Sequence, residues 1–252
     1  MSKEKASFAQ KIKKVSLAIF KWFGVSLIKY AFCLVWWPRI SYESKKAKND
    51  LKKKQSIIIS NHCYWFDPVM MYVIGHTSKM SVVAAKEVLT GIKGVLLRVL
   101  GCISVDRTTM DLVCLRECAK RVSEGEKVAI FPEGQINFEE ELLPFKAGVS
   151  LIASRTGTRV IPVYLSGDYR PFGHLRVLVG ESVDLSEEFS KVATAAEIAS
   201  ATDVLSKKTS ELQQKLYERM TPKQLQGMKN FRAKFSKSRE ADLSEQKKEA
   251  HV

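Results

Sequence analysis

Six apolar runs rich in β-branched residues alternate with helical patterns through the middle of this chain, and this alternation restricts the fold more than any other feature. Strands are predicted at 56–60, 80–85, 102–105, 127–131, 159–165 and 174–180. Helices are predicted at 68–75, 92–100, 109–124, 146–156 and 195–219. Such alternation is typical of α/β proteins, so the sequence predicts an α/β single domain with a central mixed, largely parallel sheet flanked by helices. The run at 174–180 alternates as a half-exposed edge strand does.

Charge is distributed unevenly along the 252 residues, and its distribution is more informative than the formal net charge of +14. Residues 1–54 carry 14 Lys and Arg against 3 Asp and Glu, whereas residues 55–205 carry 15 against 18. A nucleic-acid-binding domain is expected to have a basic patch on its folded part. Here the predicted domain is mildly acidic and the ends are basic, so we expect a membrane lipid surface as a partner, and no nucleic acid.

The first 37 residues combine basic and aromatic side chains, as membrane-surface segments do. The stretch 15–37 is largely apolar, but Lys21 and Lys29 interrupt it, and a membrane span needs about 20 apolar residues. Basic residues flank the stretch on both sides, which favours both ends at the cytoplasmic face. The sequence predicts an N-terminal membrane-associated helical element at 1–37, peripheral or monotopic in one leaflet; a single span is the alternative.

Residues 38–252 are predicted to have three parts and to bind no metal or cofactor. Residues 38–55 form a basic connector, 56–220 the folded domain, and 221–252 a polar, basic tail, which beyond about residue 228 is either a frayed helix or disordered. The five cysteines are odd in number and irregular in spacing, which predicts neither disulfides nor a zinc site. Because no glycine-rich nucleotide-binding loop occurs either, we expect no metal and no cofactor.

His62 and Asp67 stand on either side of a predicted strand-to-helix turn. The apolar run Ile57–Ile59 precedes them, and Asp67-Pro68 is a favourable helix start because Asp can cap a helix and Pro is tolerated at its first position. On one continuous helix the two side chains would diverge, but across a turn they can converge. A carboxylate that holds one imidazole nitrogen leaves the other free to accept a proton. The pair is therefore predicted to be catalytic, with His62 as the general base.

Three further blocks follow in order along the chain. They are GCISVDR at 101–107, VAIFPEG at 128–134 and VIPV at 160–163. Together with Asn61-His62 and Asp67, they resemble in order and rough spacing the PlsC-type glycerolipid acyltransferases, that is, the 1-acylglycerol-3-phosphate acyltransferases. The resemblance covers about residues 50–185, and it implies that the domain at 56–220 is an acyltransferase domain.

The resemblance also implies substrate-binding residues. Arg107 is implied to grip the phosphate of the acceptor, which a planar guanidinium can bind through two hydrogen bonds. Glu133 and Gly134 are implied to help hold the acceptor, with Glu133 bonding a hydroxyl or orienting Arg107. Asn61 belongs to the same block as His62 and, like Glu133 and Gly134, is assigned to substrate binding.

Other positions are implied to contact the two substrates less directly. Lys86 and Lys146 stand at family-typical places, from which either could contact phosphate on the acceptor or on coenzyme A. Pro162 is implied to shape the acyl-donor side, although a proline inside a strand also has a structural reading. The apolar stripe of the helix at 92–100 could form the wall of an acyl cleft, or could be ordinary core.

The resemblance implies transfer of an acyl chain from acyl-CoA or an acyl carrier protein to the sn-2 hydroxyl of lysophosphatidic acid (1-acyl-sn-glycerol 3-phosphate), forming phosphatidic acid in phospholipid biosynthesis. No serine-nucleophile elbow occurs, so the acceptor hydroxyl would attack directly and no acyl-enzyme would form. Two alternatives stay open. One is an acyltransferase for another lysophospholipid or a lyso-amino-acid lipid, and the other is a non-catalytic peripheral binder of anionic membrane lipid.

Overall fold

The structure, a computed structural model, describes residues 22–249 except 76, 78, 92–93, 96, 98–100 and 107–110, with side chains as far as residue 237. The strands are β1 (Arg39–Tyr42), β2 (Ser56–Ser60), β3 (Met80–Ala85), β4 (Ile103–Val105), β5 (Lys127–Ile130), β6 (Val160–Leu165) and β7 (Arg176–Val179). The α-helices are α1 (22–36), α2 (Lys45–Lys52), α3 (Asp67–Gly75), α4 (Leu112–Ser123), α5 (Gly148–Thr156), α6 (Ala195–Glu218) and α7 (Pro222–Glu249). Short 3₁₀ helices lie at Lys86–Leu89 and Ser186–Glu188.

The strands form one seven-stranded sheet in the order β1-β7-β6-β2-β5-β3-β4. Strands β2 to β6 all run in the same direction, and β7 is antiparallel to its neighbour β6. Strand β1 is parallel to β7 at the edge of the sheet. The predicted α/β domain with a mixed, mostly parallel sheet is thereby confirmed.

Two details at this edge differ from the prediction. The basic stretch 38–55 is more than a connector, because it contributes β1, which pairs with β7 from Arg39 to Tyr42, and the packed helix α2. As a result β7 lies between β1 and β6, and the prediction of a half-exposed edge strand at 174–180 is wrong. Four residues among basic neighbours give too short a pattern to be recognised as a strand.

Strand β2 shows why the sheet is covered on both faces. Ile57 and Ile59 pack against α4, α5 and α6 on one face, whereas Ile58 packs against α1 and α3 on the other. All three side chains are fully buried, and each such burial stabilises the fold by about 1.5–3 kcal/mol. An unbroken β-branched run is expected for a central strand of this kind.

Helix α1 packs with only one of its sides on the domain. Val25 and Phe32 are buried, while a set of large apolar side chains faces outward. That set is Trp22, Phe23, Leu27, Tyr30 and Leu34. Within the described residues, no helix has the length and apolar character needed to cross a bilayer. Residues 1–21 of the predicted membrane element lie outside the described residues.

Helix α7 begins at the start of the predicted polar, basic tail at 221–252. Thr221 and Gln224 exchange hydrogen bonds of 2.9 and 3.4 Å, and Pro222 occupies the first helical position. This arrangement satisfies the free N–H groups at a helix start. Met228 and Arg232 are buried against the domain, so the first turns of α7 are part of the folded structure.

Candidate active site

The candidate site lies at the carboxyl ends of the parallel strands, the edge at which open α/β sheets bind ligands. His62 comes two residues after β2, Asp106 directly after β4, and Glu133 three residues after β5. These strands belong to the contiguous part β2-β5-β3-β4 of the sheet. Residues distant in sequence therefore meet at one edge.

His62 and Asp67 are in direct contact, since Nδ1 of His62 lies 2.8 Å from Oδ2 of Asp67. The same oxygen accepts the backbone N–H groups of Cys63 and Tyr64 at 2.7 and 2.8 Å, and the other oxygen accepts the hydroxyl of Tyr169. Four groups thus surround a carboxylate that is 0% exposed. The two side chains converge across the turn between β2 and α3, as the sequence predicts. Because Nδ1 is engaged, Nε2 is the nitrogen that remains for a substrate.

The backbone of His62 is held from both sides. Its N–H donates to Oε1 of Glu133 at 2.9 Å, and its carbonyl accepts the N–H of Asn137 at 2.6 Å. The imidazole stacks on Phe131, with ring centroids 4.3 Å apart and planes inclined by 19°. The main chain and the ring of His62 are therefore both fixed by the segment that follows β5.

Glu133 is 4% exposed and directs both carboxylate oxygens to groups of the protein. Its Oε1 accepts the backbone N–H of His62. Its Oε2 accepts the side-chain amide of Asn137 at 2.9 Å and the backbone N–H of Leu143 at 3.0 Å. Both oxygens of Glu133 thus accept hydrogen bonds from the protein, and its predicted bond to a substrate hydroxyl stays a prediction. Arg107, which Glu133 is alternatively predicted to orient, lies outside the described residues.

An apolar cavity of about 340 Å³ opens beside His62. Its apolar wall comes from β3, β4, β5, α4 and α5, and includes Val83, Val105, Cys114, Leu115, Cys118, Ile130, Val149 and Ile152. Polar groups at the cavity are His62, Asp106, Asp111 and Lys146. Of the predicted helix at 92–100, the described residues 94, 95 and 97 do not line the cavity, and the other six lie outside the described residues.

Gly134 permits the close approach of Lys146 to the turn after β5. Its φ is +71°, and a Cβ at this position would lie 2.7 Å from Cε of Lys146. The backbone N–H of Lys146 also donates to the carbonyl of Pro132 at 2.9 Å. Gly134 and Lys146 therefore lie together in the lining of the cavity, as two of the predicted substrate-binding positions.

Asn61 and Arg107 have other outcomes. Asn61 is buried and exchanges two hydrogen bonds with the backbone of Leu165, at 2.8 and 3.0 Å. It thereby joins the ends of β2 and β6, which is a structural contact and not a position in the cavity. Arg107 falls outside the described residues, although Asp106 before it lines the cavity.

Lys86 and Pro162 are not brought to the cavity wall. Lys86 is exposed at the start of the 3₁₀ helix after β3, one residue beyond Ala85, which does line the cavity. Pro162 lies inside β6 and borders a separate cleft with Leu212 of α6. Its surroundings fit the structural reading of a proline in a strand.

Tyr169 is a site residue that the sequence reasoning missed. It is buried, its hydroxyl donates to Asp67, and its carbonyl accepts the indole N–H of Trp36 at 2.8 Å. Burial, and next the charge of Asp67, raise the pKa of Tyr169 well above its ordinary value, so the phenol remains a donor. The signal that could have identified Tyr169 was its position four residues beyond β6, which is parallel to β2.

Among the described residues, no group of three His, Cys, Asp or Glu side chains could hold a metal ion.

Comparison with known proteins identifies similar sequences. A model of the family described as acyltransferase matches residues 40–166. The 1-acyl-sn-glycerol-3-phosphate acyltransferase of Borreliella burgdorferi is 31% identical over 148 residues, which are 56% of this chain and 58% of that protein. The chloroplastic enzyme BAT2 of Brassica napus, of the same description, is 30% identical over 113 residues, which are 44% of this chain and 33% of that protein. The chain thus spans between a third and three fifths of these two relatives.

A solved structure shares the fold. The crystal structure of the 1-acyl-sn-glycerophosphate acyltransferase PlsC from Thermotoga maritima has a TM-score of 0.54 and 24% identity, covering 81% of this chain and 82% of that one. At this identity the similarity supports the arrangement of strands and helices described above.

Proposed function

The chain belongs to the acyltransferase family, and on that premise we propose that it transfers an acyl chain from acyl-CoA or an acyl carrier protein to the sn-2 hydroxyl of 1-acyl-sn-glycerol 3-phosphate. The product is phosphatidic acid. Relatives from Borreliella burgdorferi and Brassica napus carry the name of this activity. The proposal for this chain depends on one observation, the contact of His62 with Asp67 at the edge of an apolar cavity.

In the proposed reaction, Nε2 of His62 takes the proton of the acceptor hydroxyl as that oxygen attacks the thioester carbonyl. Asp67 holds Nδ1–H and stabilises the imidazolium that forms. The new C–O bond replaces the C–S bond, and His62 returns the proton to the leaving thiolate. Cys63 is unsuited to act as a nucleophile, because it is buried and burial raises the pKa of its thiol well above the ordinary value.

The two substrates would use different parts of the site. The apolar lining of the cavity suits a fatty acyl chain, whose transfer from water is favourable by about 0.8 kcal/mol for each CH₂ group. Lys146, which lies at the cavity against Gly134, can approach a phosphate. Arg107 follows the cavity residue Asp106 and is proposed to grip the phosphate of the acceptor.

We also propose that residues 1–37 are a membrane-associated element and that the domain acts at the cytoplasmic surface of the bilayer. The support is the outward face of α1, where Tyr30 and Leu34 are each 75% exposed. Aromatic side chains favour the headgroup region, and both substrate and product of the proposed reaction are lipids. A single span that includes residues before 22 is the alternative.

The test is to incubate the purified full chain with a panel of lysolipids and both kinds of thioester, and to identify products by mass spectrometry. Phosphatidic acid is expected, and His62→Ala should lower its formation by several orders of magnitude. The exposed His174→Ala is the matched control and should retain activity. If product forms only with another lysolipid, the proposed acceptor is wrong but the chain is still an acyltransferase. If the chain binds vesicles but transfers no acyl group to any lysolipid, the alternative of a non-catalytic lipid binder holds.

A further inference from the structure

Helix α7 reaches the candidate site, although it lies outside the matched family segment 40–166. Phe231 and Phe235, on successive turns of α7, face Tyr64 with ring centroids 6.1 and 5.0 Å apart. Tyr64 belongs to the turn that carries the His62–Asp67 pair. The C-terminal helix therefore packs directly on the turn that forms the proposed base.

Arg232 of α7 is 4% exposed and binds three consecutive carbonyl groups. Its Nε donates to the carbonyl of Phe138 at 2.9 Å, and its Nη2 donates to that of Asn137 at 3.3 Å. Nη2 also donates to the carbonyl of Glu139. A guanidinium can make these contacts together because its donors lie in a fixed fork, which a lysine ammonium lacks.

The segment that Arg232 holds is the one that fixes His62. The N–H of Asn137 donates to the His62 carbonyl at 2.6 Å, and the Asn137 side-chain amide donates to Oε2 of Glu133 at 2.9 Å. Glu133 in turn accepts the His62 N–H at 2.9 Å. A short series of hydrogen bonds thus runs from α7 to both backbone groups of His62.

We propose that Arg232 is a positioning residue, which sets the place of His62 by fixing the carbonyls of residues 137–139. This inference rests on the proposed acyl transfer for its effect on rate. The guanidinium is buried behind the loop, and its hydrogen bonds reach His62 through Asn137, whose side-chain amide binds Glu133. Small displacements of a catalytic group matter, because about 1 Å of misplacement can cost about 100-fold in rate.

Three variants of the full chain separate positioning from general packing. Arg232→Met removes all the donors but keeps an unbranched stem, whereas Arg232→Lys keeps a charge but places its three donors on a single nitrogen, without the fork of the guanidinium. Lys229→Met is the matched control on the same helix. The Lys229 ammonium lies 3.0 Å from Oε1 of Glu140, in the same loop, but its side chain is 46% exposed. Such an exposed ion pair contributes little to stability.

The readouts are steady-state kinetics and hydrogen exchange of single amides, both at a temperature where melting curves show the variants folded. Arg232→Met should lower kcat about 100-fold and Arg232→Lys about 10-fold, with the KM of thioester and lysolipid changed less than about threefold. Exchange at the amides of His62 and Asn137 should quicken in Arg232→Met, while central amides of β6 keep their rates. Lys229→Met should match wild type in both readouts.

An unchanged kcat in folded Arg232→Met, a defect confined to KM, or unaltered exchange at His62 and Asn137 would each overturn the proposal. If Arg232→Met is unfolded at the assay temperature, the kinetics and the hydrogen exchange of Arg232→Lys test the proposal instead. A wild-type chain that transfers no acyl group would remove the proposed function. The exchange measurement would even then decide whether Arg232 holds the His62 backbone.

Discussion

The hydroxyl of Tyr169 donates to Oδ1 of Asp67, so a residue 102 positions away holds the carboxylate that faces His62. On its other oxygen, Asp67 meets the imidazole and two backbone N–H groups. The imidazole, the carboxylate and the phenol thus form one connected series, and only its His62 end borders the cavity. This arrangement gives distinct roles, and distinct expected losses, to the residues along the series.

Replacing Asp67 by Asn should lower kcat by up to about 10⁴-fold, the scale of loss when the carboxylate of a catalytic triad becomes an amide. The amide no longer favours the His62 tautomer with its proton on Nδ1, nor does it stabilise an imidazolium. Acyl transfer from a radiolabelled thioester measures the loss. Asp50→Asn is the matched control, since Asp50 is also a buried carboxylate but binds Lys53 and Ser182 away from the cavity. It should cost stability without a comparable loss of kcat.

Tyr169→Phe should lower kcat about 10-fold, because a buried carboxylate oxygen loses its donor at a cost of about 1–3 kcal/mol. The ratio of variant to wild-type kcat should stay constant with pH. The pKa of Tyr169 is raised well above its ordinary value by burial, so the phenol does not ionise in an ordinary assay range. Tyr72→Phe is the control: its buried hydroxyl donates to the backbone carbonyl of Met80 at 3.0 Å. Equal kinetic losses in both variants would contradict a role for Tyr169 through Asp67.

Gly134→Ala should raise the KM of the phosphate-bearing acceptor, because the new Cβ would lie 2.7 Å from Cε of Lys146 and displace that side chain. The positive φ of +71° adds a cost of about 1 kcal/mol to folding. Gly125→Ala isolates this backbone cost, since Gly125 has a φ of +82° and nothing within 4 Å of the added Cβ. The two variants should lose similar melting temperature, measured by calorimetry. A KM unchanged in Gly134→Ala would remove Lys146 from phosphate binding.

Six of the seven described strands and the convergence of His62 with Asp67 could be predicted because local signals determine them. Unbroken runs such as Ile57–Ile59 predict strands that are covered on both faces. The change from that run to Asp67-Pro68 predicts a helix start, and parallel strands bring their carboxyl ends to one edge. The same logic places Glu133 at this edge but does not show where its oxygens point.

Other parts of the site depend on packing that no local pattern contains. Tyr169 meets Asp67 only through the relative position of β6 and β2, and Glu133 is engaged by Asn137 and Leu143 only once the loop has folded. Helix α7 had a local signal in Thr221-Pro222 with Gln224 three residues on. The prediction of a frayed helix or a disordered tail rested instead on the polar, Lys-rich composition beyond about residue 228.

The outward face of α1 gives a last prediction, on membrane binding by the full chain. Tyr30→Ser combined with Leu34→Ser should weaken partitioning to anionic vesicles about 100-fold, since the loss of two apolar side chains costs about 3 kcal/mol. Melting temperature should not change, because both positions are 75% exposed. Val192→Ser, at an 81% exposed site in the loop before α6, is the control and should bind as wild type does. Vesicle flotation measures the partitioning, and a double variant that floats normally would show that residues other than this face carry the attachment.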